Sequence, residues 1–286
     1  MAIIDGKLVA KTICDQLQQE LITLNEKNIN CHLVIIQVGD VYASNIYVKN
    51  KQLVSERVGL KTTIKKFPET ITQEELIGYI VELNEDHSVN GILVQLPLPK
   101  HINESLIIAT INPNKDVDCF HLNNVGKLWT ARKTDVKIKP CTPAGIIELL
   151  KYYKIPIAEK KAVIIGRSNI VGKPMASLLL LEDATVTLCH SRTTNLHQIC
   201  SDADILISAV GKPNIIDETY IKQGATVIDV AINRDPITNK ICGDIQFEKI
   251  KHIASYITPV PGGVGPMTVV MLMKNLIELT KIQHNL

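Results

Sequence analysis

The chain has 286 residues, more than one hydrophobic core of ordinary size takes and enough for two domains. Hydrophobic residues make up 45% and charged residues 21%, which excludes intrinsic disorder, and a net charge of +2 offers no basic face of the kind nucleic acid or an anionic membrane requires. Seven scattered cysteines without a C-x-x-C pair, Asp5 and Lys7 near the N-terminus, and the lack of an apolar run of about 18 residues lead us to expect a reduced, cytoplasmic protein with no membrane partner and no metal site.

In chain order, Val9, Ile13, Leu17, Leu21 and Leu24 form an apolar stripe that predicts a helix over 8–25 covering one face of a sheet. A strand is expected at 32–38, then after the Gly39-Asp40 turn a helix over 44–58, a strand at 60–66, a helix over 72–86 and a strand at 91–94. Thr142-Pro143 has the N-cap and first-turn pattern of a further helix. The alternation then repeats, with strands near 162–165, 185–189, 204–208 and 226–229 and a last helix over 266–282. The class is α/β. Without a repeat or a long linker, the pattern alone puts the domain joint near residue 141.

The stretch GRSNIVGKP, 166–174, follows the apolar run 162–165 and opens an amphipathic segment, so it reads as strand, tight turn and helix. Backbone N–H groups at such a helix start attract a phosphate, and glycine lets the chain approach a pyrophosphate closely. Ser168 stands where the standard fingerprint has its second glycine, and the spacing from Gly166 to Gly172 is stretched. The second strand ends in His190-Ser191-Arg192 and lacks the carboxylate that would bind a ribose 2′-hydroxyl. Ser191 can donate to a 2′-phosphate, and Arg192 or Arg167 can pair with its charge, so NADP is expected rather than NAD. Ser208-Ala-Val-Gly211-Lys212-Pro and Asp229-Val-Ala-Ile232-Asn-Arg end two further strands at the same carboxyl edge.

In the first half, Ser44, Tyr47 and Lys51 are spaced i, i+3 and i+7, which on a helix gathers them into an arc of roughly 60°. That polar ridge should start near the edge where Gln95 leaves the strand of GILVQLPLP, with Pro97 and Pro99 halting further pairing. A lysine beside apolar walls loses some preference for its ammonium form and can then act as a general base, although a solvated helix face explains the same residues. Asp116 and Asp118 in NKDVDCF alternate as in an extended segment, so that one can face a pocket; capping a helix is the other use of such a pair. The glycines of PVPGGVGPMT, 259–268, suit close approach to a ligand or a plain tight connection.

With GRSNIVGKP, GILVQLPLP, KDVDCF, PCTPAG and PVPGGVGPMT all present, the chain resembles the bifunctional methylenetetrahydrofolate dehydrogenase and methenyltetrahydrofolate cyclohydrolases over essentially its whole length. The resemblance implies two three-layer α/β domains flanking a cleft: a catalytic, folate-binding domain over 1–141 with a returning C-terminal helix over 266–286, and a Rossmann-like NADP-binding domain over 142–265. It implies NADP-dependent oxidation of 5,10-methylenetetrahydrofolate and hydrolysis of the methenyl product to 10-formyltetrahydrofolate, in a homodimer joined through its cofactor domains. Lys51 resembles the family's essential lysine and Tyr47 the tyrosine that stacks on the folate; Gln95 would tune the lysine and Asp118 would hold the pterin, with Ser44 also on the substrate. Gly166, Arg167, Ser168, Ser191 and Ile232 match NADP contacts, with Arg192 beside them. Thr268 would stand at the nicotinamide end, and Pro261, Gly262 and Gly263 near the substrate.

Two positions depart from the family. Cys119 follows the aspartate where glycine is usual, and Ala231 replaces another usual glycine; where either needs a positive φ, its Cβ costs about 1 kcal/mol. Two other functions fit the residues: an NADP-dependent dehydrogenase of a small hydroxy acid with Lys51 as proton acceptor, and a nucleotide-binding protein without catalysis.

Overall fold

A computed structural model describes residues 2–130, 132–236 and 238–286. After β1 (Ala2–Ile3) comes α1 (Gly6–Glu26), whose apolar stripe is buried from Val9 to Leu24. There follow β2 (His32–Val38), α2 (Tyr42–Val58), β3 (Lys61–Phe67), α3 (Gln73–Glu85), β4 (Gly91–Val94), α4 (Glu104–Thr110) and α5 (Leu122–Thr130). The second half holds α6 (Cys141–Tyr152), β5 (Lys161–Ile165), α7 (Gly172–Leu181), β6 (Thr185–Cys189), α8 (Leu196–Cys200), β7 (Ile205–Ser208) and β8 (Thr226–Asp229). A small hairpin of β9 (Asn233–Arg234) and β10 (Ile241–Cys242), then α9 (Phe247–Ile250), β11 (Tyr256–Ile257) and α10 (Val264–Gln283) complete the chain.

Local chemistry sets several of these boundaries. Thr72 and Glu75 form a reciprocal capping box at the start of α3, and Gly59, at φ 94°, ends α2 in the left-handed conformation that glycine adopts cheaply. The expected cap at Thr142 is absent: α6 starts at Cys141 with Pro140 in the cap position, and no side-chain bond caps it. Thr142 instead lies in the first turn, where its hydroxyl meets that of Thr268 at 2.9 Å.

The chain forms two compact units. One comprises Thr12–Thr130, Val136–Lys139 and Val269–Leu286, around a parallel sheet in the order β3-β2-β4. All seven residues of β2 and all four of β4 are buried, which is why residues 33–36 and 92–94 read as apolar runs without alternation. Val34, Ile36 and Val38 of β2 pack with Leu76, Ile80 and Leu83 of α3 and with Ile107 of α4.

The other unit comprises Met1–Lys11, Ala131–Asp135 and Pro140–Thr268, around a six-stranded sheet in the order β1-β11-β8-β7-β5-β6, parallel throughout. It is the Rossmann-like half of a two-domain α/β protein. The sequence reading kept residues 1–11 with the first half; here β1 lies beside β11, with Ala2 opposite Tyr256. Two residues are too few to show a strand period. Val163, Leu206, Val227 and Ile257 of four neighbouring strands meet Cys200, Ala203 and Ile250 in its core.

Candidate active site

In the two sheets strand order reverses about β2 and about β5, and ligands of open α/β sheets lie outside the carboxyl ends at such a reversal. In the three-stranded sheet that point lies between β2 and β4. Gln95 extends the ladder there, its N–H donating to Ile36 O at 2.8 Å. The Gln95 amide is held at both ends: Nε2 donates to Leu96 O at 2.7 Å, which turns Oε1 to accept from Lys51 Nζ at 2.9 Å. The structure thus joins two residues 44 positions apart in the chain.

Lys51 is half-buried on α2, with Ser44 and Tyr47 on the preceding turns of the same helix. Ser44 is 5% exposed and Tyr47 40%, so the ridge runs from the interior to an accessible aromatic ring. Burial pushes the Tyr47 hydroxyl above its ordinary value, which keeps the phenol neutral.

Of the two aspartates left open, Asp116 serves its own loop. Their segment runs parallel to β4, with Asp116 opposite Ile92 and Ile92 N–H donating to Lys115 O at 2.7 Å. Gly91 permits that approach, since a Cβ there would come within 2.4 Å of Val117 Cγ1. Asp116 is 2% exposed and binds its own loop, accepting from His121 N–H at 2.8 Å and Asn124 Nδ2 at 3.0 Å. Burial raises its pKa, against those donors. Asp118 is half-buried. Cys119, fully buried, has φ 61°, so the position does need the left-handed conformation and carries the Cβ penalty; its thiol donates to Ile138 O at 3.5 Å.

In the six-stranded sheet the reversal lies between β5 and β7. Gly166, at φ 130°, sits there so closely that a Cβ would come within 2.4 Å of Ala209 O. Gly172 is packed more tightly still, since a Cβ there would come within 1.9 Å of Gly166 O, so these two glycines let strand end, neighbouring turn and helix start meet. Ser168 organises the loop: its Oγ accepts from Val171 N–H at 3.1 Å and from Gly172 N–H at 3.3 Å. Gly166 N–H donates to Cys189 O at 2.9 Å, which brings the ends of β5 and β6 together, and Arg167, Ser191 and Arg192 are exposed there. The turn after β6 closes on itself, His190 N–H donating to Thr193 Oγ1 at 2.8 Å and Arg192 N–H to His190 Nδ1 at 3.2 Å.

These residues fit a phosphate-bearing dinucleotide. Gly211, at φ 76° beyond β7, is exposed and has nothing within 4 Å of where a Cβ would stand, so the backbone is bare to an approaching ligand. No carboxylate occurs from 190 to 193 to repel a 2′-phosphate. Ile232 is 49% exposed beyond β8 and lies beside Gly265 at the start of α10. Ala231 has no positive φ, so the missing glycine costs no backbone strain.

Gly262 and Gly263 lie against the start of α1. Gly6 N–H donates to Gly262 O at 2.9 Å, and a Cβ on Gly6 would come within 1.7 Å of Gly263 O. A Cβ on Gly263 would come within 2.6 Å of Pro259 O, while Gly262 has φ 107°. Pro261 is exposed, and Thr268 is half-buried with its hydroxyl on Thr142. Among the described residues no group of three His, Cys, Asp or Glu could hold a metal.

Sequence reasoning missed two buried aspartates at this edge. Asp229, 3% exposed at the end of β8, accepts from the N–H groups of Asp244 at 3.1 Å, Ile245 at 3.0 Å and Ala231 at 3.3 Å. Burial, opposed by these donors and reinforced by Asp244, pushes its pKa up to about 7. Gly243 is required beside it, since a Cβ there would overlap Oδ2 at 1.8 Å. The only sequence signal was the Gly243-Asp244 pair after a short hairpin.

Residues 4–118 match the tetrahydrofolate dehydrogenase/cyclohydrolase catalytic domain and residues 140–284 the NAD(P)-binding domain of the same family. The chain is 52% identical over 279 residues to the bifunctional protein FolD of Agathobacter rectalis, covering 98% of this chain and 99% of that one. Among solved structures, the bifunctional FolD methylenetetrahydrofolate dehydrogenase/cyclohydrolase of Campylobacter jejuni superposes with a TM-score of 0.96 at 46% identity, covering 99% of each chain. The Trypanosoma brucei enzyme, complexed with NADP cofactor and inhibitor, gives 0.94 at 38% identity, covering 100% of this chain and 99% of that one.

Proposed function

The chain belongs to the tetrahydrofolate dehydrogenase/cyclohydrolase family, and from that premise we infer a bifunctional enzyme that oxidises 5,10-methylenetetrahydrofolate with NADP and hydrolyses the methenyl product to 10-formyltetrahydrofolate. The observation that carries the residue assignment is the hydrogen bond from Lys51 Nζ to Gln95 Oε1.

Hydrolysis requires a water to lose a proton as it attacks the methenyl carbon. An amine can take that proton, and the Gln95 amide, held at both ends, aims the Lys51 nitrogen. Tyr47 offers a neutral ring to stack on the folate, and Ser44 a hydroxyl on the same ridge. Asp118 accepts pterin N–H groups, a role that its neighbour Asp116 has given up to the loop. NADP, when bound, supplies the hydride acceptor. On the cofactor side Gly166 and Ser168 shape the phosphate turn, and Arg167, Ser191 and Arg192 hold the 2′-phosphate. Ile232 and Thr268 border the nicotinamide end, with Pro261, Gly262 and Gly263 toward the substrate.

The same reading extends to a cytoplasmic homodimer. Seven free cysteines, six of them buried, support a reducing compartment, and no helix among the described residues is long and apolar enough to cross a membrane. The outer strand β6, with Thr185 and Thr187 exposed, supports association through the cofactor unit. Light scattering after gel filtration should give twice the chain mass.

An assay that follows reduced nicotinamide and methenyl-folate absorbance together tests the central assignment. Lys51→Ala should bind NADP with wild-type affinity and lose hydrolysis by about 100-fold or more. Wild-type hydrolysis in that variant would remove Lys51 from the mechanism.

A further inference from the structure

Asp244 makes the densest side-chain network at the cofactor edge, and the proposed chemistry does not use it. It is 0% exposed, and its carboxylate accepts from four donors on two separate loops. Oδ2 takes the Ser208 hydroxyl at 2.8 Å and Val210 N–H at 2.7 Å; Oδ1 takes Lys212 N–H at 2.8 Å and Asn233 Nδ2 at 3.0 Å. The first three belong to the end of β7 and the turn that contains the exposed Gly211, and the fourth to the loop that carries Ile232.

A carboxylate has about four acceptor positions, so every one is spent and no donor on this network is charged. Burying the group otherwise costs stability, and two apolar side chains would fill the space more cheaply. What the carboxylate adds is geometry, because it requires two N–H groups of one turn and an amide from another loop to converge on one point. Asp244 is itself held, since its own N–H and that of Ile245 donate to Asp229.

We infer that Asp244 is a positioning residue of the NADP site, setting the turn after β7 and tethering the Ile232 loop through Asn233. The inference rests on the proposed placement of NADP at this edge. Without the clamp, Gly211 is free to leave the conformation that bares the backbone, and Ile232 loses its tether. NADP then has to order both loops as it binds.

Titration calorimetry of NADP binding, with hydrogen exchange on the ligand-free protein, tests this. Asp244→Asn replaces two acceptors with an NH₂ that faces existing donors; it should weaken NADP by about tenfold or more, while tetrahydrofolate affinity changes less than about twofold. Amides of Val210 and Lys212 should exchange faster. Asn233→Ala leaves the other three bonds in place and keeps the test open should Asp244→Asn fail to fold; it should weaken NADP by about threefold or more. A lower Tm with unchanged NADP affinity in either folded variant would make the network structural only and overturn the inference. Arg167→Ala is the parallel arm. If it weakens NADP and the two clamp variants do not, the positioning role alone fails; if it has no effect on a wild type that binds NADP, the placement of the site fails and takes the inference with it.

Discussion

Gln95 accepts a hydrogen bond from Lys51 Nζ, and that contact can be tested. Gln95→Leu removes the acceptor and should lower hydrolysis by about tenfold or more while NADP affinity keeps its wild-type value. Wild-type hydrolysis in that variant would show that Gln95 does not act through the lysine. At the other end of the chemistry, Arg167→Ala combined with Ser191→Asp should weaken NADP by about tenfold or more and NAD much less, measured as competing dissociation constants. Equal losses would place the 2′-phosphate elsewhere. Lys51, Tyr47 and Ser44 were legible as a ridge because helical spacing alone sets their arc. Gln95 was expected at the same edge and, through the resemblance to the family, as a partner of the lysine; the hydrogen bond itself is set by the fold, since no local pattern dictates which strand end a lysine will meet. Cys119 and Ala231, both in positions where the family usually has glycine, separate in the same way: only the backbone reveals that Cys119 stands at φ 61° and that Ala231 does not share its strain.

At the scale of elements, the loop from Gly166 to Gly172 depends on backbones nearer to one another than a side chain allows. Gly166→Ala should destabilise the protein by about 1–3 kcal/mol, from overlap with Ala209 O together with an unfavourable φ, and should weaken NADP as well; urea denaturation with and without the cofactor checks both. Ser168, at first the flaw in a dinucleotide fingerprint, turns out to bind the loop's own N–H groups, a task a second glycine could not perform. Strands β2, β4, β5, β7 and β8 were readable because burial on both faces makes a parallel strand continuously apolar. The two-residue β1 and β11 and the four-residue α9 were not, being shorter than any period that could reveal them. The glycines in 259–268 suited a ligand or a tight connection, and Gly262 and Gly263 let the start of α1 pack against them.

For the molecule as a whole, Asp229 links stability to pH. Its folded pKa, pushed to about 7, lies above the ordinary carboxylate value, so its contribution is fully present in acid and is lost as pH rises from about 4 through 7. The unfolding free energy of wild type should therefore carry a downward slope over that window which Asp229→Asn lacks. Parallel slopes for the two proteins, from urea titrations between pH 5 and 8, would remove Asp229 as the cause. Beside burial, the neighbouring charge that bears on it is Asp244, which raises it against the three backbone N–H donors. By itself the sequence determined the α/β class, the helical ridge of Lys51 and the expectation of NADP, because each follows from local spacing or from the chemistry of adjacent residues, and its five motifs in order carried the resemblance to the family. Only the tertiary structure decided how the Gln95 amide is turned toward Lys51, that Asp116 serves its loop, and that Asp229 and Asp244 bind the turns of the cofactor edge. A buried polar group takes its partners from whichever backbone the fold brings beside it, and sequence distance carries no record of that.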